Sequence, residues 1–133
     1  MTIDRALLRS NARSFLLAAE RALEQRPIEG GIQSLIVPAV VCCAFSIELS
    51  SKCMSTAWGH DLKDLYDGLS EPQRSEILRR MEMDESGFTA CLQNSASLFK
   101  DWRYLHEHVS GNVKMDFLQK LARICIEMIE PNT

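Results

Sequence analysis

The chain has 133 residues, of which 46% are hydrophobic and 25% are charged, and its formal net charge at pH 7 is −3. These values are typical of a single globular domain, which we expect to span residues 1–133. The acidic balance excludes the broad basic face with which proteins bind long duplex DNA, so any nucleic-acid site must be local.

The first predicted helix runs from its cap at Asp4 to about Arg26. Apolar residues recur three or four positions apart along it and form one stripe, which consists of Leu8, Ala12, Phe15, Ala19 and Leu23. Pro27 follows this helix, and Gly30-Gly31 predicts a flexible link to the next element.

The second predicted helix runs from about Gln33 to Trp58, with Pro38 near its start, where proline is tolerated. The segment is apolar nearly all round, which predicts a central position in the fold. Gly59 is expected to end this helix as the residue after its C-cap. The most apolar stretch, Leu35 to Leu49, is too short to span a bilayer, so no membrane association is expected.

Shorter elements follow. Residues His60 to Leu69 predict a short helix or turn, and a helix capped by Ser70 runs to about Met83. The sequence from Asp84 to Gly87 is expected to break that helix.

Two long helices complete the chain. One runs from about Phe88 to Val109, with an inner face of Phe88, Leu92, Ser95, Phe99 and Trp102. The other runs from Val113 to about Glu130, with Phe117, Leu121, Ile124, Cys125 and Met128 inward. Short connections favour antiparallel neighbours. The elements therefore predict an all-α, up-and-down four-helix bundle with one or two short extra helices between the second and third long helices.

The cysteines and the first residues indicate a cytoplasmic protein. The five cysteines are odd in number and none has CxxC spacing, which argues against a secreted disulfide framework and indicates core packing. The chain starts Met1-Thr2-Ile3-Asp4, without the basic start and apolar run of a signal peptide.

The densest polar cluster lies at residues 100–108 and contains Arg103 and His108. A guanidinium group binds phosphate through a planar fork, and an imidazole transfers protons near neutral pH. Together they could cleave RNA without a metal: a base activates the 2′-hydroxyl, and a cation stabilises the charge on the phosphorane.

Arg103, four intervening residues and His108 resemble the Arg-(four to six residues)-His motif of HEPN domains. Three further segments are similar to one branch of that family: FSIELSSK at 45–52, GHDLKDL at 59–65 and DWRY at 101–104. The resemblance implies a small bundle of four or five helices. It also implies a prokaryotic, metal-independent endoribonuclease of a toxin or defence system, without a cofactor.

In such an enzyme Arg103 would stabilise the phosphate and His108 would serve as acid or base. The resemblance further implies a homodimer in which two motifs meet, with RNA as substrate and a nucleotidyltransferase-like antitoxin as partner.

An alternative is a non-catalytic module that binds a partner protein or a nucleotide. Tyr104 stands where catalytic HEPN motifs usually carry Asn, Asp or His, and members of this branch often lack a full catalytic motif. On one straight helix Arg103 and His108 would point about 140° apart, at about 100° per residue. A symmetric dimer or a kink would be needed to bring them to one phosphate.

Five supporting candidates are Glu48, Lys52, His60, Tyr104 and His106. Glu48 and Lys52 are spaced i, i+4, which predicts a local salt bridge. A buried Glu48 needs a partner, and an ion pair with Arg103 would be a structural role for both residues. His60 is expected to cap or orient the turn after Gly59, and His106 to lie in the core. The three histidines form no metal-ligand pattern, and the chain lacks the Glu-x-x-His pairs of metal-dependent bundle enzymes.

Overall fold

The computed structural model of the protein describes residues 4–33, 35–56, 59–100 and 115–130. Within these ranges the chain forms six helices and one small antiparallel hairpin, which confirms the all-α class. The elements in chain order are α1 (Arg5–Ala22), β1 (Arg26–Ile28), β2 (Gly31–Gln33), α2 (Ile36–Met54), α3 (Leu62–Asp67), α4 (Glu71–Met81), α5 (Glu85–Lys100) and α6 (Met115–Ile129). The short helices α3 and α4 lie between the second and third long helices, as expected. The up-and-down order of the bundle stays a prediction.

Helix α1 begins as predicted but ends early. The Asp4 carboxylate accepts a hydrogen bond from the Leu7 amide and caps the first turn. The helix ends at Ala22 instead of Arg26, because the following residues pair as a hairpin. The predicted flexible link at Gly30-Gly31 is therefore wrong. Gly30 has a φ of 89° and closes the turn between β1 and β2, a conformation that glycine adopts without steric cost.

Helix α2 is central, as its apolar sequence predicts. It packs against α1, α3 and α6. The buried serines of α2 donate hydrogen bonds to main-chain oxygens: Ser46 to Ala12 at 2.8 Å, Ser50 to Ser46 at 2.7 Å and Ser51 to Ile47 at 2.8 Å. Each hydroxyl is thus satisfied inside the bundle.

The end of α2 differs from the prediction. The helix starts at Ile36, with Pro38 in its first turn, and ends at Met54 with Ser55 as its C-cap. Gly59 therefore does not cap it. Gly59 instead has a φ of 110° in the turn that leads into α3.

Helix α2 is also longer than the apolar stretch on which the sequence prediction rested. Among the described residues it is the one helix with the length and apolar composition to cross a membrane, and just over half of that apolar window is buried within the fold. Such burial is compatible with the core helix of a soluble protein.

Capping residues define where the helices in the middle of the chain begin and end. Ser70 and Gln73 form a reciprocal capping box at the start of α4, and its C-cap residue Glu82 is in the left-handed conformation with a φ of 58°. Asp84 accepts a hydrogen bond from the Gly87 amide at 2.8 Å. The predicted break after α4 is confirmed, but residues 85–87 already belong to the first turn of α5.

Aromatic side chains connect α3, α5 and α6. The Phe88 ring lies 4.9 Å from that of Tyr66 and 5.5 Å from that of Phe117, between ring centroids. All three rings are buried. On α6 the predicted inner residues Phe117, Leu121, Ile124 and Cys125 are buried, and Met128 is half-buried. The aromatic contacts hold α3 at a defined distance from α5, and this matters because the turn before α3 contains a candidate site residue.

Candidate functional site

Three of the predicted site residues, Glu48, Lys52 and His60, meet at the junction of α2 and α3, and we call them the Glu48 cluster. Lys52 Nζ lies 3.3 Å from Glu48 Oε2, which confirms the predicted i, i+4 salt bridge. His60 Nδ1 lies 3.0 Å from Glu48 Oε1. Glu48 itself is 8% exposed, so its charge is buried and compensated by groups that contact each of its oxygens.

Local structure brings His60 to this position. Gly59 has its positive φ directly before it, and Asp61 caps α3 directly after it. The Asp61 carboxylate accepts hydrogen bonds from the Lys63 amide at 2.9 Å and the Asp64 amide at 3.2 Å. Of the two roles expected of His60, capping belongs to Asp61, whereas the contact of His60 with Glu48 orients the turn against α2.

The contact with Glu48 defines which nitrogen of His60 carries the proton in the neutral ring. An ionised carboxylate can only accept a hydrogen bond. His60 Nδ1 is then the donor, and Nε2 is left as the acceptor. Because the His60 side chain is 84% exposed, molecules from solution have access to the imidazole.

The other predicted site residues, Arg103, Tyr104, His106 and His108, lie outside the described residues. The ion pair between Glu48 and Arg103 that the sequence offered lies outside the described residues as well. Both oxygens of Glu48 have partners in Lys52 and His60. Among the described residues, the buried carboxylate therefore has one partner on each oxygen.

The cysteines are core residues in the described part of the chain, as expected. Cys43, Cys53 and Cys125 are buried, and Cys42 and Cys91 are half-buried. Burial raises the pKa of both Cys43 and Cys125 to about 12, because an apolar environment disfavours the thiolate. These two thiols are not suited to nucleophilic chemistry. Across the described ranges, no group of three His, Cys, Asp or Glu side chains is arranged to hold a metal ion.

Sequence reasoning missed two features of the site. It did not identify Asp61 as the cap of α3, although an Asp before a short helix is a common capping signal. It also did not pair Glu48 with His60, because the two residues are 12 positions apart and belong to different elements. Only the Glu48–Lys52 pair lies within one helix, where spacing alone predicts contact.

Comparison with known proteins gives no relative. No protein-family model matches the chain, and no curated protein or solved structure matches it. Membership of the HEPN family therefore stays a prediction that rests on the four quoted sequence segments.

Proposed function

We propose that this protein is a HEPN-like, metal-independent endoribonuclease of a prokaryotic toxin or defence system, and that it works in the cytoplasm as a homodimer. Arg103 stabilises the negative charge on the phosphorane, and His108 transfers a proton. A nucleotidyltransferase-like antitoxin is the partner that the resemblance implies. The helical fold of the described residues supports this proposal, because HEPN domains are small helical bundles.

The observation that carries the proposal is the Arg103…His108 motif, together with the three further segments that resemble HEPN domains. Two of those segments meet at Glu48. Lys52 supplies the countercharge from within α2, and His60 supplies a second hydrogen bond. The contacts of Glu48 thus join the segment at 45–52 to the segment at 59–65 within the described part of the chain.

The charge of the chain limits the kind of nucleic acid that it binds. A net charge of −3 does not favour long-range attraction to a polyanion. A nuclease of this composition must bind RNA through a few local cations, and Arg103 is the cation that the motif provides. We therefore expect cleavage of a defined RNA element rather than general degradation.

The decisive experiment is RNA cleavage by the purified full chain in excess chelator. Total bacterial RNA is incubated with wild type, Arg103→Ala, His108→Ala and the control Arg79→Ala, which removes an exposed arginine that pairs with Glu76 on α4. We expect discrete fragments from wild type and Arg79→Ala. We expect a loss of about a hundredfold or more in the two motif variants. No cleavage by any protein would contradict the proposal.

A non-catalytic binding module is the second candidate, and an exposed aromatic residue favours it. Phe45 on α2 is 43% exposed, and its ring lies 5.2 Å from that of Phe15. Exposed aromatic side chains are frequent anchors at protein interfaces. Light scattering on wild type and Phe45→Ser tests this surface. A wild-type dimer that becomes a monomer in Phe45→Ser, combined with absent cleavage, would favour the module.

A further inference from the structure

We propose that His60, positioned by Glu48, is the proton acceptor for the 2′-hydroxyl of the RNA substrate. This inference rests on the proposed function and adds a catalytic residue to it. The site consists of the Glu48 cluster, with the imidazole of His60 as the reacting group and an RNA phosphodiester as the substrate.

The chemistry of RNA cleavage calls for two proton transfers. The 2′-oxygen forms a bond to phosphorus while the bond between phosphorus and the 5′-oxygen breaks. The proton of the 2′-hydroxyl goes to a base, and a proton from an acid goes to the departing 5′-oxygen. Nothing is oxidised or reduced. In each protomer the Arg-His motif supplies one cation and one proton-transfer group, His108. With His108 as the acid, a second group serves as the base.

His60 has the geometry of such a base. Its Nδ1 is held 3.0 Å from Glu48 Oε1, so in the neutral ring the lone pair is on Nε2. The ring is exposed while the carboxylate behind it is buried. A fixed carboxylate both orients the imidazole and stabilises the imidazolium that forms when the base takes a proton. Glu48 is thus a positioning residue, and His60 is the residue that touches the reacting atoms.

Three other titratable groups of the described residues are less suited to this role. Both oxygens of Glu76 are held by arginines, which lower its pKa to about 2 and leave it a poor base. The Cys43 and Cys125 thiols are buried with raised pKa values. The Glu48 cluster combines a buried anion with an exposed, titratable partner.

Lys52 completes the arrangement on the opposite oxygen of Glu48. Its ammonium lies 3.3 Å from Oε2 and supplies the countercharge of the buried carboxylate. Glu48 therefore has a cation on one oxygen and the imidazole on the other.

The test uses the full chain and an RNA that the wild type cleaves in chelator. We expect His60→Ala to lower kcat by about a hundredfold or more, and added imidazole to restore part of the loss, because the vacated position is open to solvent. Glu48→Gln should lower kcat less than His60→Ala. Glu76→Gln is the matched control, since it changes a carboxylate with two basic partners elsewhere, and it should cleave like the wild type.

The direction of proton transfer is tested with an RNA that carries sulfur in place of the 5′-bridging oxygen at the cleaved bond. Sulfur leaves without a proton, so this substrate removes the need for an acid but not for a base. His108→Ala should recover on it, and His60→Ala should stay slow. Recovery of His60→Ala would overturn the assignment of His60 as the acceptor.

Nitrogen NMR of the wild-type imidazoles supplies a readout that does not depend on activity. We expect the neutral His60 ring to carry its hydrogen on Nδ1 in wild type and to lose this preference in Glu48→Gln. If His60→Ala cleaves at the wild-type rate while Arg103→Ala is inactive, this inference fails and the proposed function stands. If the wild type cleaves no RNA, the proposed function fails and this inference fails with it.

Discussion

Glu48 and Glu76 each bind two basic side chains, but they lie in opposite surroundings. The Glu76 side chain is 32% exposed, and its partners Arg79 and Arg80 belong to the same helix, α4. The Glu48 side chain is 10% exposed, and one of its partners, His60, comes from outside its helix. Permanent cations within one helix give Glu76 a local, surface role. The titratable partner His60, which lies outside α2, gives the Glu48 cluster a candidate chemical role.

The largest expected effect comes from removing a buried ring that packs against α3, the helix next to the Glu48 cluster. Phe88 is 0% exposed and contacts Tyr66 of α3, the helix that follows directly after His60 and Asp61. Phe88→Ala should lower the free energy of unfolding by about 3–5 kcal/mol, since it leaves a cavity between α3, α5 and α6. Urea unfolding followed by far-UV circular dichroism measures this loss. The control Phe45→Ala removes a half-exposed ring and should cost about 1 kcal/mol. Equal losses would show that the two rings are equally important for packing.

A smaller effect compares the stability lost when Glu48 or Glu76 loses one of its basic partners. Lys52→Met removes the countercharge of a buried carboxylate and should lower the free energy of unfolding by about 1–3 kcal/mol at pH 7. Arg80→Met removes one of two cations from a half-buried carboxylate and should cost less than about 1 kcal/mol. Both values come from urea unfolding. If the two variants lose the same amount, burial of Glu48 does not distinguish the clusters.

The smallest effect is the pH dependence of the stability that Glu76 contributes through its contacts with Arg79 and Arg80. Hydrogen bonds from Arg79 and Arg80 lower the pKa of Glu76 from 4.5 to about 2. A lowered pKa in the folded state stabilises the protein above pH 4.5, and this contribution is lost as the pH falls toward about 2. Wild type should therefore exceed Glu76→Gln in stability by a constant amount above pH 4.5, and the difference should vanish near pH 2. Urea unfolding at a series of pH values measures it. A difference that persists at the lowest pH would contradict the assigned cause.

Local signals predicted much of the helical structure. Asp4 and Ser70 cap the helices they were expected to cap, and Pro38 lies in the first turn of α2. Each of these depends on a hydrogen bond or a steric fit within a few residues, so the sequence alone is informative. The Glu48–Lys52 salt bridge belongs to the same class, because residues four apart are neighbours on any helix.

Predictions failed where a short segment had more than one compatible conformation. The residues from Arg26 to Gln33 were assigned partly to a helix and partly to a flexible link, but they pair as a hairpin. The sequence predicts that α2 runs to about Trp58, with Gly59 after its C-cap, whereas the helix stops at Met54. In both cases the glycine lies in a turn, but the sequence does not show which two elements that turn connects.

The sequence by itself determined the all-α class, the central place of α2 and the contact between Glu48 and Lys52, because hydrophobic periodicity and helical spacing are local properties. Only the tertiary structure decided that His60 contacts Glu48 and that Phe88 lies between Tyr66 and Phe117. These contacts depend on the distance and angle between α2, α3, α5 and α6. Those are set by the packing of the whole core, which no short stretch of sequence specifies.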